Sequence, residues 1–257
     1  MAELTDRQLN QYARQLVLPQ VDLEGQLKLQ SSRVLIVGAG GLGVPLAQYL
    51  AAAGVGYLRL VDDDVIERSN LPRQVAFAES DIGQAKVDVL AARLRSNNAD
   101  VELDTRLCRF ESNNASALLE DIHLVVDATD SAEARLLIDR STFDLRLPWI
   151  MGAAVRLAGQ WTIFDADRQF GCYHCLMTDG SHDGAGGCAE LGILGPVVGL
   201  VALQQALLAI KWCLGADLPW GRLQLLDAWG DQQTQISLMP RDDCPVCRDA
   251  SRSAGAS

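Results

Sequence analysis

Glycines 38, 40 and 43 follow the apolar run Val34 to Val37, and residues in that order can bind a phosphate. A residue without a side chain lets the backbone approach a ligand closely. A helix beginning just after it presents unpaired N–H groups to an anion. Gly41 lies inside the same turn. A glycine-rich turn alone is common in plain strand-to-helix packing, so its flanks decide its meaning. Val34 to Val37 is too short for a helix and rich in β-branched residues, while Leu46, Ala47, Leu50 and Ala51 recur at helical spacing. Val55 to Val61 reads as a second strand. Asp62 ends it, 19 residues after Gly43, where a carboxylate can accept hydrogen bonds from ribose hydroxyls. Residues 33–62 therefore read as a nucleotide-binding βαβ unit.

Around this unit stand Arg14, Asn70, Arg73, Lys86 and Asp130. Arg73 and Lys86 bring positive charge to a polyphosphate, and Asp130, ending a predicted fourth parallel strand, is placed to ligate magnesium. Hydride transfer requires neither cations nor a metal. Nucleotidyl transfer to a carboxylate requires both. Its nucleophile is already ionised and needs no general base, so the barrier lies in joining two anions and stabilising the leaving pyrophosphate. Two other classes stand beside this one. An NAD-dependent oxidoreductase would want a nicotinamide pocket and a proton donor, and no residue plays that donor clearly. A docking module without catalysis has no use for Arg73, Lys86 and Asp130 together.

Cysteines supply the second chemistry. Cys172-x-x-Cys175 and Cys244-x-x-Cys247, with 68 residues between them, form two tight thiolate pairs. Two such pairs complete a closed tetrahedral zinc site, which does no chemistry and pins the C-terminal segment back near residue 172. The competing reading, a redox dithiol, ordinarily needs one pair beside a βαβ start. His174 inside the first pair reads as surface. Cys188, between a glycine-rich stretch and a predicted helix, has two readings: a nucleophile of lowered pKa, or a capping or packing residue. Cys108 and Cys213 read as structural residues in apolar surroundings, and His123 and His182 have no evident role.

These residues must be held by a sheet and its helices. The spacing predicts a helix over 4–16 capped by Thr5 or Asp6, with Arg7 and Arg14 on one face, and a short one over Leu23 to Leu29. Segment 62–74 is polar and broken by Pro72. A helix through Lys86, Val87, Leu90 and Leu94 leads to strands at Val101 to Leu107 and Ile122 to Val126. A helix at 131–140 then precedes a hairpin of Trp149 to Val155 with Gln160 to Phe164. Strands alternating with helices mean a doubly wound, mostly parallel Rossmann-like sheet, here with a C-terminal antiparallel extension. Leu191 to Ile210 is apolar enough to cross a bilayer, but its glycines, Pro196 and Gln204-Gln205 favour a buried core helix. Asp179 to Gly187 and the tail from Ala250 are low in complexity and read as mobile.

The chain has 257 residues, 49% of them hydrophobic, which suits one large α/β domain. With 22 basic against 33 acidic residues its net charge is −11, which argues against nucleic acid as a partner. Met1 to Asn10 carries Glu3 and Asp6 and no apolar core, so no signal peptide is read and a cytoplasmic protein is expected. In that reducing compartment cysteines serve as ligands, nucleophiles or core residues more than as disulfides.

Taken together, Gly38-Ala39-Gly40-Gly41-Leu42-Gly43, Asp62-x-Asp64, Ser69-Asn70-Leu71-x-Arg73-Gln74, Gly83-x-x-Lys86, Asp127-x-Thr129-Asp130, the cysteine pairs, and Cys188-Ala189-Glu190 before Gly195-Pro196 resemble the ubiquitin-activating-type (ThiF/MoeB/HesA) adenylyltransferase family. The resemblance runs from Asn10-x-x-x-Arg14-Gln15 to Cys247. It implies ATP-dependent adenylylation of the C-terminal glycine carboxylate of a ubiquitin-like sulfur carrier ending in Gly-Gly, by a homodimer. It further implies that Gly38, Gly40, Gly41, Gly43 and Asp62 bind the nucleotide, that Asn70, Arg73, Gln74 and Lys86 hold phosphates, that Asp130 holds Mg2+, and that Arg14 reaches over from the other subunit. Cys188 matches the position where thiamine-pathway members form an acyl-persulfide. A MoaD-type carrier of molybdopterin synthesis is the first expectation, from the N-terminal spacing, and a ThiS-type carrier the second. No rhodanese-like domain is read, so a separate sulfur donor is implied. By this resemblance 1–257 is a single adenylyltransferase domain, with a nucleotide core at 33–155, a zinc-stapled carrier-binding part at 156–249 and a flexible tail at 250–257.

Overall fold

The computed structural model describes residues 3–177 and 191–247. Two N-terminal helices, α1 (Asp6–Gln11) and α2 (Ala13–Leu16), lead into α3 (Asp22–Ser31) and the central strand β1 (Arg33–Val37). There follow α4 (Gly43–Ala53), β2 (Tyr57–Val61), α5 (Lys86–Asn97), β3 (Glu102–Arg106), α6 (Ala115–Leu119), β4 (Leu124–Asp127), α7 (Ala132–Asp144), β5 (Trp149–Val155), β6 (Ala158–Phe164) and the short α8 (Tyr173–Leu176). The chain then continues through α9 (Gly195–Leu214), β7 (Arg222–Asp227) and β8 (Gln232–Ser237).

The strands make one sheet in the order β3-β2-β1-β4-β5-β6-β7-β8. The first five run parallel, and β6, β7 and β8 continue it antiparallel. Both faces of the parallel part are covered, which is why its strands are apolar without alternation. Val34 and Ile36 of β1 pack with α3, α4, α5 and α9, while Leu35 and Val37 pack with α6, α7 and α8. The apolar stretch near residue 200 is the core helix α9, laid against α3, α4, β5 and β6. Pro196 stands in its first turn, and left-handed Gly215 ends it. One side of it, with Val197, Val201, Ala202 and Ala209, is buried, and Leu200, Leu203 and Leu207 remain exposed on the other.

Two expectations need correction. The N-terminal helix is not continuous over 4–16: it breaks at Tyr12, whose ring turns inward so that its hydroxyl accepts a hydrogen bond from Asn98 at 2.8 Å. Thr5 caps α1 in a reciprocal pair with Gln8, but Arg7 and Arg14 no longer share one face, and Arg7 instead pairs with Asp100. The fourth strand closes at Asp127, so Asp130 lies in the turn beyond it. Helix α6 is too short to show a period and was not expected; buried Arg59 donates to the carbonyls of Leu118 and Glu120 at its C-terminal end. Asp179 to Gly187 and the tail from Ala250 lie outside the described residues.

A second feature without a sequence signal is the ion pair Arg168–Asp139, 3.0 Å long and almost wholly excluded from solvent. Asp139 on α7 also accepts from Trp149 Nε1 of β5 and from the Tyr173 backbone N–H, while Arg168 reaches the Thr142 hydroxyl. Removing one member of such a pair leaves the other charge buried alone. Asp139→Ala is therefore expected to destabilise the fold by about 3–5 kcal/mol, read as a lower urea midpoint in equilibrium unfolding.

Candidate active site

The parallel strand order turns at β1, where crossovers leave toward β2 on one side and β4 on the other. A crevice must open between the strand ends there. It is a cavity of about 700 Å³ walled by the glycine turn, the segments after β2, β3 and β4, and the first turns of α5 and α9. Gly38, Gly40, Gly41, Asp62, Asn70, Arg73, Gln74, Lys86 and Asp130, separated by up to 92 residues, meet around it.

The glycines divide their work. Gly38 has φ +102°, and a Cβ there would stand 2.6 Å from the Ala128 carbonyl oxygen, so the turn can close on β4 only without one. Gly43 does not reach the cavity wall. A side chain at that position would collide with the Gly38 carbonyl, so this glycine seats α4 against the loop rather than facing a ligand. Gly40 and Gly41 present backbone to the cavity.

Asp62 is held by two amides, Ala39 N at 2.6 Å and Asp64 N at 2.8 Å. A carboxylate has about four acceptor directions, so two backbone bonds leave room for a diol. Burial pushes its pKa above the ordinary aspartate value, against those same hydrogen bonds and the charge of Lys86. Lys86, at the start of α5, is buried and pairs with exposed Asp64 at 2.7 Å. Asn70 ends a 3-10 turn and accepts from Glu67 N, and Arg73 is anchored on the Ser69 carbonyl at 2.8 Å. Gln74 is 2% exposed, and its Oε1 has no hydrogen-bond partner among the described residues. A buried acceptor left open at a cavity wall is the kind of group a polar ligand satisfies.

Asp130 is exposed on the rim, and Asp127, Thr129 and Arg135 form a hydrogen-bonded cluster beneath it. Carboxylates on the rim with buried cations inside fit a metal–polyphosphate ligand. Arg14 is exposed on α2 and does not line this cavity, and Cys188 lies outside the described residues. Cys213 is buried as expected, and burial pushes its thiol up to about 11. Cys108 packs against the apolar cluster around Leu35 and Val125 as read, and, half-buried, it also reaches the cavity wall next to Arg109, where the chain leaves β3. Asp64, Arg109 and Arg135 were missed as site residues. Asp64 stood in the Asp62-x-Asp64 pattern, whereas nothing local marked the two arginines.

The four paired cysteines converge. Cys172–Cys175, Cys172–Cys244 and Cys175–Cys247 sulfurs lie 3.7, 3.6 and 3.4 Å apart. A disulfide would need about 2.05 Å, while a tetrahedron of sulfurs about 2.3 Å from zinc has edges of roughly 3.8 Å. The donor set and spacing suit zinc, with all four positions filled by protein. His174 is not part of the cluster.

A model of the ThiF family matches residues 12–246 of the chain. The chain is 38% identical over 244 residues to the sulfur carrier protein ThiS adenylyltransferase of Escherichia coli (strain K12), covering 95% of this chain and 97% of that protein. It is 37% identical over 248 residues to the molybdopterin-synthase adenylyltransferase of the same organism, covering 96% and 99%. Among solved structures, E. coli MccB with MccA-N7isoASN is similar with a TM-score of 0.81 at 21% identity, over 93% of this chain and 74% of that one, a likeness of fold.

Two outcomes follow. The purified chain should hold one zinc by elemental analysis, and Cys244→Ser should lower that content and the unfolding midpoint together. Were Asp62 to take a ribose, it would have to be ionised to accept both hydroxyls, and burial raises its pKa, so nucleotide affinity is expected to weaken as pH falls, beginning above the ordinary aspartate range near 4. Calorimetric titration from pH 8 downward should show this limb, and Asp62→Asn should flatten it.

Proposed function

We propose, on the premise that this chain belongs to the ThiF family and is an adenylyltransferase, that it activates the C-terminal glycine carboxylate of a ubiquitin-like sulfur carrier with ATP. The observation that carries this reading is the single cavity in which the glycine turn, Asp62, Arg73, Lys86 and Asp130 meet. Backbone at Gly40 and Gly41 would lie along the phosphates, and Asp62 would take the ribose. A carrier carboxylate oxygen attacks the α-phosphorus, the bond to the bridging β-phosphate oxygen breaks, and pyrophosphate leaves with that electron pair. No proton needs to move. Arg73 and Lys86 offset the charge of the two anions, Lys86 exchanging Asp64 for phosphate. Mg2+, with Asp130 as its ligand, would supply further charge neutralisation when bound.

The finer assignments rest on the resemblance. The carrier is taken first as MoaD-type, and the near-equal identities, 38% and 37%, give a ThiS-type carrier comparable support. A homodimer would bring Arg14, remote from its own cavity, to that of its partner. Residues 33–155 would act as nucleotide core and 156–249 as carrier-binding part, with sulfur coming from a separate donor protein in the cytoplasm.

ATP–pyrophosphate exchange with purified MoaD-type and ThiS-type carriers tests the assignment. Exchange dependent on a carrier's terminal Gly-Gly is expected, and its absence with both would overturn the reading. Asp130→Ala should reduce exchange by about a hundredfold or more, the scale of a lost charge stabiliser, with zinc retained. Cys188→Ala should leave exchange intact, since the adenylate forms before any thiol is needed.

A further inference from the structure

Asp130 stands exposed on a turn three residues beyond β4, and an exposed turn by itself is a poor support for a metal ligand. What holds the turn lies underneath. Asp127, fully buried, accepts from Thr129 N at 2.9 Å and from the Thr129 hydroxyl at 2.6 Å through Oδ1, and from Arg135 Nε at 3.1 Å through Oδ2. Arg135 Nη2 then donates to the Thr129 carbonyl at 2.9 Å. The residue next to Asp130 is thereby gripped at its N–H, its hydroxyl and its C=O. Ser131 caps α7 on the other side of Asp130, and Gln205 of α9 donates to the Asp127 carbonyl at 2.6 Å. One planar guanidinium thus holds the strand end and the turn together.

We propose that Arg135 is a positioning residue for adenylylation: its guanidinium fixes the Thr129–Asp130 turn for the metal–nucleotide complex. This rests on the reading of Asp130 given above. The fork geometry is what matters, because Nε serves Asp127 while Nη2 serves Thr129. A lysine supplies the charge at one point and cannot span both acceptors in fixed directions.

Arg135→Lys separates positioning from mere support, since it keeps a cation beside buried Asp127. Zinc content and unfolding midpoint should stay near wild type. Amide hydrogen exchange in a peptide covering 127–132 should quicken about tenfold, a local loosening, while peptides from β1 and α9 stay unchanged. In pyrophosphate exchange, kcat should fall about tenfold and the KM for ATP should hold within about twofold, as expected when a group is displaced from the reacting centre rather than from the binding contacts. Should Arg135→Lys fail to fold, Thr129→Val leaves the ion pair in place, removes the hydroxyl's bond to Asp127 from the same turn, and should show the same pattern, weaker. Wild-type exchange rates and kcat in the folded variants, or loosening spread evenly over the whole chain, would overturn the proposal. If the wild-type enzyme shows no pyrophosphate exchange with any carrier, the functional reading fails instead, and hydrogen exchange at 127–132 still decides what Arg135 holds.

Discussion

A parallel sheet whose strand order departs in two directions from β1 leaves a gap that no crossover covers. The rest of this molecule depends on that constraint. The chain leaves the end of β1 through a glycine turn because Gly38 must pass close to the Ala128 carbonyl at the end of β4. Segments after β2, β3 and β4 have to end at the same edge, since all these strands point one way. Residues far apart in sequence thus arrive at one cavity without any need to attract one another.

The electrostatics follow from the same geometry. An acidic chain would repel a polyphosphate in general, but burial at the strand ends concentrates cations where the ligand enters. Lys86 is nearly excluded from water and balanced by Asp64, which is itself largely exposed. Arg135 and Asp127 apply the arrangement one layer deeper, where the pair shapes backbone instead of meeting ligand.

The second organising constraint lies at the other end of the chain. Two cysteine pairs, joined by 68 intervening residues, can share one ion only if the segment after β8 returns to α8. Buried Arg168 and Asp139 bind that same region to α7 and β5 through Trp149 and Tyr173. Knuckle, α7 and the turn at Asp130 are therefore continuous.

Much of this was legible beforehand. Strand β1, the glycine turn, α4 and β2 follow from apolar periodicity and from glycine's backbone freedom, both local properties. The cysteine pairs were legible because thiolate spacing within a turn is local too. Asp62, Arg73, Lys86 and Asp130 were legible as chemistry and through their likeness to a known family. Tertiary structure alone decided the rest. It broke the first helix at Tyr12 for the sake of Asn98, turned Gly43 from a ligand contact into a packing contact, and put Cys108 on the cavity wall. It also moved Asp130 past the strand end and set Arg135 beneath it. These outcomes depend on which side chains meet across the sheet, and a pairing between distant segments leaves no periodic mark on either one.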